Sequence, residues 1–238
     1  MTTAPTSTVR WDAVSAPHGT AALRHTHWLD ATPRAVDGAP GEWWAEDGRV
    51  HGRGLPETGT VDLEPFTGVR EADLLLKAFA RTGSLALRVY DPENPDRLAL
   101  RGIEAYPRDD AWAIAGRFVA AEDGAQETIL SVDGHERTVA ATGSIELTVA
   151  GEPVHLTVSA DGEGFSAVIA DASAADGAYR FRFLPIAAPT VDGAVTVDFN
   201  DAYLPPCAFS DQYVCPLPPP ENRLAAAVTA GEKRAIRD

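Results

Sequence analysis

The sequence has few of the features that mark membrane, nucleic-acid-binding or disulfide-stabilised proteins. It contains 2 cysteines among 238 residues. No run approaches the ~18 consecutive apolar residues of a membrane helix. Lys and Arg total 20 against 35 Asp and Glu, so the formal charge is −15. A protein with that charge repels phosphate backbones. The sequence therefore predicts a protein that neither crosses a bilayer nor binds nucleic acid.

The N-terminus and the cysteines indicate a compartment. Residues 1–8 have neither the basic start nor the apolar core of a secretory signal, so we expect a cytoplasmic protein. In a reducing cytosol, Cys207 and Cys215 are expected as free thiols. Their spacing is not that of a Cys-x-x-Cys redox motif, and no nearby histidine completes a zinc site. Three roles stay open for the two cysteines: structural thiols, a redox pair, or half of a metal site.

Most of the chain after Gly83 alternates apolar and polar residues in short runs. Examples are residues 85–89 and 195–199, and the pairs Asp133-Gly134 and Asp161-Gly162 mark turns between such runs. This pattern predicts an all-β fold, either an antiparallel β-sandwich or a closed β-barrel, with one or two peripheral helices. Gly116 inside one predicted strand suggests a β-bulge.

The predicted organisation is a loosely ordered arm followed by one β-rich domain. The arm covers residues 1–20, and the domain covers 21–238. Its parts are an N-terminal extension (21–83), a main sheet (84–204) and a proline-rich tail with a short helix (205–238). Three local elements are predicted: a hairpin over Glu42–Arg53 turning at Asp47-Gly48, a helix over Val69–Arg81, and a final helix over Arg223–Ala230.

The C-terminal tail carries the most specific motifs. It reads DFNDAYLPPCAF over 198–209, CPLPPPENRL over 215–224 and AGEK over 230–233. A looser match, RLALRGIEAYPRDDAWAIAGRF, covers 97–118. These motifs closely resemble a bacterial and archaeal family known only as domain of unknown function number sixteen eighty-four. The resemblance implies an intracellular, β-rich protein and supplies no activity. The chain departs from the family pattern before residues 179–184, where members commonly carry several glycines.

A candidate ligand pocket follows from residues near the tail. Asp198 and Asn200 lie two apart on a predicted strand and would share a face with Arg182 of a neighbouring strand. Such a group, with Tyr203, suits a small polar or anionic ligand. The alternative for Arg182 is a structural ion pair that holds the tail against the sheet. Glu221 and Arg223 either reach the ligand or belong to a helix cap at Asn222.

Three functions follow from this candidate pocket. The first is binding of a small molecule beneath the proline-rich tail. The second is an enzyme that uses Asp198 or Glu221 as acid or base in the same pocket. The third is a homodimer clasped through Pro216–Leu224. No cofactor is assigned and no metal is predicted. Surface or packing roles are expected for His25 and His27. The alternative is a metal triad that these two histidines form with Glu42 or His51.

Overall fold

The computed structural model describes residues 5–238, with side chains from residue 10 onward. The predicted all-β class is confirmed, because 52% of the chain is strand, 13% is helical and the sheets are antiparallel. The chain divides into two compact units. The first contains the described residues up to Arg101, together with Phe209–Tyr213 and Arg237–Asp238, and the second contains Gly102–Ala208 and Val214–Ile236.

The first unit is built from two antiparallel sheets. Their strand orders are β1-β8-β7-β6 and β2-β3-β4-β5. The elements are α1 (Pro5–Ser15), β1 (Leu23–Leu29), β2 (Arg34–Val36), β3 (Ala39–Glu46), β4 (Arg49–Leu55), β5 (Gly59–Leu63), β6 (Gly68–Glu71), β7 (Leu74–Arg81), β8 (Ser84–Tyr90) and α2 (Pro95–Leu98). Both sheets contribute to one core, which includes Trp43, Val50, Leu76 and Leu87.

The predicted hairpin in this unit is confirmed. Strands β3 and β4 pair from Glu42 opposite Arg53 to Glu46 opposite Arg49. The turn residues Asp47 and Gly48 have φ angles of 48° and 75°. Two positive φ angles are what a two-residue hairpin turn requires, and Asp-Gly adopts them readily.

The predicted helix over Val69–Arg81 is wrong, because these residues form the β6–β7 hairpin. The run Leu74-Leu75-Leu76 satisfies helical and alternating spacing at once, and the sheet core selects the alternating pattern: Leu76 and Ala78 are buried. The carboxylate of Glu71, at the end of β6, accepts hydrogen bonds from the backbone N–H groups of Glu57 and Thr58 at 2.6 and 3.2 Å.

The second unit is dominated by one sheet that curls into a half-barrel. Its strand order is β16-β15-β14-β13-β10-β17, and β18 pairs with β15. The elements are β9 (Leu100–Ala105), β10 (Ala113–Ala120), β11 (Gln126–Leu130), β12 (Glu136–Ala140), β13 (Gly143–Val149), β14 (Glu152–Asp161), β15 (Gly164–Asp171), β16 (Arg182–Ile186), β17 (Ala194–Asp198), β18 (Arg223–Leu224) and β19 (Glu232–Arg237). Strands β11 and β12 form a separate hairpin, and β9 pairs with β19.

Gly116 does not form the predicted bulge. The register of β10 runs without a break from Gly116 to Ala120 against β13, and from Ala113 to Arg117 against β17. A Cβ atom at Gly116 would lie 2.8 Å from Cγ2 of Ile145. The glycine is therefore explained by close packing of the core against the strand.

Three boundaries also differ from the sequence prediction. Helix α1 occupies part of the predicted loose arm, whose residues 1–4 lie outside the described residues. Residues 179–183 alternate aromatic residues with arginine, which predicts a strand from Tyr179, but the strand begins only at Arg182. The predicted final helix over Arg223–Ala230 is wrong: a 3-10 turn at Pro220–Asn222 leads into strand β18. The backbone carbonyls of Val228 and Ala230 bind the Arg182 side chain.

Candidate functional site

The second unit contains a cleft of about 1000 Å³. Its walls come from β13, β14 and β15, from the β11–β12 hairpin and from the proline-rich segment Pro216–Pro220. Apolar side chains dominate one part of the lining: Val119, Ile129, Leu130, Val168, Phe183 and Leu217. Val119 and Leu130 are 41% and 40% exposed, so the cleft presents apolar surface to solvent. Ligand sites commonly combine such a volume with apolar walls.

Strand alternation places the side chains of this wall. On β14, Leu156 and Val158 belong to the core, whereas Thr157 and Ser159 line the cleft. On β15, Ile169 is in the core and Val168 lines the cleft. Successive residues of a strand point to opposite faces, so the core pattern fixes which side chains reach the cleft.

The proline-rich segment is held against the β11–β12 hairpin by backbone hydrogen bonds. Proline has no N–H, so Leu217 supplies the donor: its N–H bonds the carbonyl of Leu130 at 2.8 Å. Ser131 forms an isolated bridge with Pro216, and the N–H of Val132 bonds the carbonyl of Cys215 at 2.9 Å. The segment thus forms an ordered wall of the cleft.

Asn222 fixes the other end of this wall by joining two strands that separate. Strands β14 and β15 pair only from Ser159 opposite Ser166 onward, and extending that register would place Val168 opposite Thr157. The Asn222 side chain lies between these two residues. Its oxygen accepts from the N–H of Thr157 at 2.8 Å, and its NH2 donates to the carbonyls of Thr157 and Val168, both at 2.9 Å. The amide therefore replaces backbone hydrogen bonds that the two separated strands do not make with each other. Asn222 is not the helix cap that the sequence predicts.

Arg182 is 0% exposed. Its guanidinium pairs with Asp171 at 2.5 Å and donates to the carbonyls of Ala230, Val228 and Glu232 at 2.5, 3.0 and 3.3 Å. Burial would raise the pKa of Asp171, but the Arg182 charge and further hydrogen bonds hold it below its ordinary value. Arg182 does not line the cleft. These contacts support the alternative of a structural ion pair that holds the tail.

Asp198 and Asn200 lie together, but not on one strand. Asp198 ends β17, and its carboxylate accepts from the backbone N–H and the side-chain NH2 of Asn200 at 3.0 and 2.7 Å. Arg108 pairs with Asp198 at 2.6 Å. Burial opposes ionisation of Asp198, but these hydrogen bonds hold its pKa below its ordinary value. Burial and then the nearby Asp198 raise the pKa of Asp201. Neither Asp198 nor Asn200 lines the cleft.

Three other predicted site residues do line the cleft: Tyr203, Glu221 and Arg223. The Tyr203 backbone pairs with Phe183 through two hydrogen bonds of 2.8 and 2.9 Å, and their rings meet edge to face at 5.7 Å. Glu221 and Arg223 are exposed. The predicted site residues are therefore not brought together. Tyr203, Glu221 and Arg223 line the cleft, whereas Arg182 pairs with Asp171, and Asp198 and Asn200 pair with each other.

The cleft also contains charged residues that the sequence analysis did not single out. Arg137 projects from β12, while Glu127 of β11 accepts a hydrogen bond from the Ser159 hydroxyl at 3.3 Å. Among the described residues, neither Arg137 nor Arg223 has a carboxylate within ion-pair distance. No sequence signal distinguished Arg137 from other surface arginines, because its place depends on how the hairpin folds over the sheet.

The two cysteines are buried and not joined by a disulfide. The N–H of Cys207 donates to Sγ of Cys215 at 3.4 Å. The Tyr179 hydroxyl lies 3.0 Å from the carbonyl oxygen and 3.6 Å from Sγ of Cys207. A hydrogen bond from Cys215 and the positive charge of Arg180 are among the causes that lower the pKa of Cys207 to about 7. Burial and the contact with Cys207 raise the pKa of Tyr179.

His25, His27 and His51, the histidines of the alternative metal triad, stack on other rings. The rings of His25 and His27 lie 5.3 Å apart, Glu42 pairs with Arg53, and the His51 ring stacks on Trp44. Partial burial, followed by the neighbouring His27, lowers the pKa of His25. Among residues 5–238, no group of three or more His, Cys, Asp and Glu side chains is placed to hold a metal ion.

The fold and the cleft define an all-β protein with a candidate ligand site in its second unit. A family model described as "Protein of unknown function (DUF1684)" matches residues 99–233, so the chain belongs to that family, as its tail motifs predicted. The chain is also similar to an uncharacterised protein of Haloarcula marismortui, solved by solution NMR, with 27% identity. That alignment covers 60% of this chain and 80% of the other, with a TM-score of 0.47. A comparison with curated proteins finds no match.

Within the part of the chain that the structure describes, no helix is both long and apolar enough to cross a membrane.

Proposed function

We propose that the second unit binds a small molecule with an apolar body and an anionic end, and that the cleft beside the proline-rich segment is its site. The observation that carries this proposal is the exposure of Val119 and Leu130 inside a cleft of about 1000 Å³. Apolar surface that stays open to water in a concave site is stabilised when a ligand covers it. The ordered wall formed by Pro216–Pro220 reduces the conformational cost of binding.

The charged side chains of the cleft indicate which end group the ligand has. Arg137 and Arg223 are guanidinium groups without an ion-pair partner among the described residues, and guanidinium binds carboxylate and phosphate oxygens through paired hydrogen bonds. The cleft also contains the carboxylates of Glu127, Asp161 and Glu221, which favour a cationic end. Glu127 accepts a hydrogen bond from Ser159 at 3.3 Å, and Arg223 donates one to the Pro218 carbonyl at 3.4 Å. We assign the anion to the two arginines, because neither guanidinium has an ion-pair partner and guanidinium donates paired hydrogen bonds to an oxyanion.

The test is a fluorescence titration with cis-parinaric acid, an apolar chain that ends in a carboxylate. Wild-type protein should bind this probe, and Arg223→Gln should weaken binding about fivefold, which corresponds to ~1 kcal/mol for one exposed charge-assisted hydrogen bond. Arg117→Gln is the matched control, since Arg117 is an exposed arginine of β10 outside the cleft.

Competition by dodecylamine distinguishes the two end groups. If the amine displaces the probe more effectively than dodecanoic acid does, the anionic assignment is wrong and the carboxylates of the cleft recognise the ligand. If neither amphiphile binds and Leu130→Ser changes nothing, the cleft is not a site for apolar ligands. The third function, a homodimer clasped through Pro216–Leu224, stays a prediction. Part of this segment, Pro216–Pro220, already contacts residues of its own unit.

A further inference from the structure

Two buried thiols lie side by side in a part of the second unit that the proposed binding function does not use. Cys207 belongs to a 3-10 turn over Pro206–Ala208, and its backbone N–H reaches Sγ of Cys215 at 3.4 Å. This contact brings the Cys215 sulfur next to the backbone of Cys207. Eight positions separate the two residues along the sequence, and the intervening loop returns the chain to the same place.

The surroundings of Cys207 differ from those of an inert core thiol. The Tyr179 hydroxyl, whose proton can go to the Cys207 carbonyl oxygen at 3.0 Å, also lies 3.6 Å from the Cys207 sulfur. The Arg180 guanidinium lies 5.9 Å from the Tyr179 ring. A nearby cation stabilises thiolate over thiol, and the hydroxyl can turn its proton to the sulfur once the thiolate forms. Cys207 is 6% exposed, so an oxidant that reaches it must be small.

We infer that Cys207 is a site of reversible oxidation by hydroperoxides and that Cys215 is its resolving cysteine. The Cys207 thiolate attacks one oxygen of hydrogen peroxide, the O–O bond breaks, and the departing hydroxide takes a proton to become water. The Cys215 sulfur then attacks the sulfur of the resulting sulfenic acid. The S–S bond forms, the S–O bond breaks, and hydroxide leaves as a second water with the Cys215 proton. The sum is two thiols and one peroxide giving one disulfide and two waters.

Two opposing effects set the rate. A lower pKa leaves more of the Cys207 thiol ionised at neutral pH, whereas the nucleophilicity of a thiolate falls with its pKa, with a Brønsted coefficient of ~0.45. Because this coefficient is below 1, the gain in ionised thiol exceeds the loss of nucleophilicity. Cys207 in the native protein should therefore react faster with hydrogen peroxide than the same cysteine in the unfolded chain.

The experiment treats the full chain with one equivalent of hydrogen peroxide at pH 7 and follows free thiols and intact mass. Both thiols should disappear together, the mass should fall by two hydrogens, and dithiothreitol should restore both. The same chain in guanidinium chloride is the matched control, because unfolding removes the Tyr179 and Arg180 contacts and should abolish the rate advantage. In Cys215→Ser, dimedone should trap a sulfenic acid at Cys207, and in Cys207→Ser no rapid trapping should occur.

Several results would overturn the inference. One is a native protein whose thiols resist peroxide while the unfolded chain reacts. Another is a product in which the thiols are oxidised singly to sulfinic acid, or in which the disulfide joins two chains. Circular dichroism of both serine variants shows whether they fold, and the wild-type mass and thiol count do not depend on either variant.

Discussion

Removal of the Arg182 side chain tests most sharply whether this arginine is structural. In Arg182→Ala, the Asp171 carboxylate stays buried without its cation, and the carbonyls of Val228 and Ala230 lose their donor. Removing one member of a buried ion pair typically costs about 3–5 kcal/mol, because the remaining charge is uncompensated. We therefore expect the free energy of unfolding of the second unit to fall by that amount. Arg180→Ala, two positions earlier and exposed, should change it by no more than about 0.5 kcal/mol.

The assay is hydrogen exchange with mass spectrometry on peptides covering β15 and β16. Because the chain contains two compact units, a single thermal midpoint would mix their unfolding. Peptide-level exchange reports the second unit by itself. A loss below about 1 kcal/mol in Arg182→Ala would refute the structural role.

The pH dependence gives an independent check. The Asp171 pKa is below its ordinary value in the folded protein, so its contribution to stability is present above the unfolded value of 3.8 and is lost as pH falls through the lower folded value. In Arg182→Ala, burial acts on Asp171 without the compensating charge and raises its pKa. Acid then protonates the carboxylate and relieves the penalty. The difference in the free energy of unfolding between wild type and Arg182→Ala should become smaller as pH falls from 7 toward 3. A difference that does not change with pH would contradict the ion pair.

Three further substitutions have expected outcomes measured by the same exchange experiment. Gly116→Ala places a methyl group 2.8 Å from a core side chain and should cost ~1–3 kcal/mol, whereas Gly102→Ala, whose new methyl would lie 3.6 Å from its nearest neighbour, should be near neutral. Equal effects would argue against the packing explanation. Asn222→Ala removes three hydrogen bonds and should cost ~2–3 kcal/mol and speed exchange in β14; unchanged exchange there would show that the amide does not join the strands. Glu71→Ala should destabilise the first unit alone, and a loss of protection confined to the second unit would contradict its role in binding Thr58.

Local sequence patterns predicted those elements in which one periodicity was unambiguous. The Asp47-Gly48 turn and the alternation through residues 85–89 each favour one structure, and both are found as predicted. The prediction of a helix over the β7 segment is wrong because its consecutive leucines fit two periodicities, and only packing in the sheet core decides between them. The prediction of a final helix is wrong because side chains distant in sequence, chiefly Arg182, bind the backbone of the tail.

The candidate site was harder to predict, because its geometry depends on long-range pairing. The tail motif identified Tyr203, Glu221 and Arg223, and all three line the cleft. The sequence could not show that Arg182 pairs with Asp171, eleven positions away on the preceding strand, or that Asn222 bridges two splayed strands. Arg182 and Asn222 are buried polar side chains, and the backbone groups that they bind can be identified only from the folded structure.

The location of a bound probe tests the central claim most directly. A fatty acid carrying a photoreactive diazirine in its chain, activated on the full-length protein and mapped by peptide mass spectrometry, reports the residues that contact it. We expect labelling to concentrate on β11, on β14 and on Pro216–Arg223, and excess cis-parinaric acid to suppress it. Labelling in the first unit, for example near Phe66, which is 62% exposed, would contradict the assignment of the cleft as the binding site. Labelling spread evenly over the chain would contradict it as well.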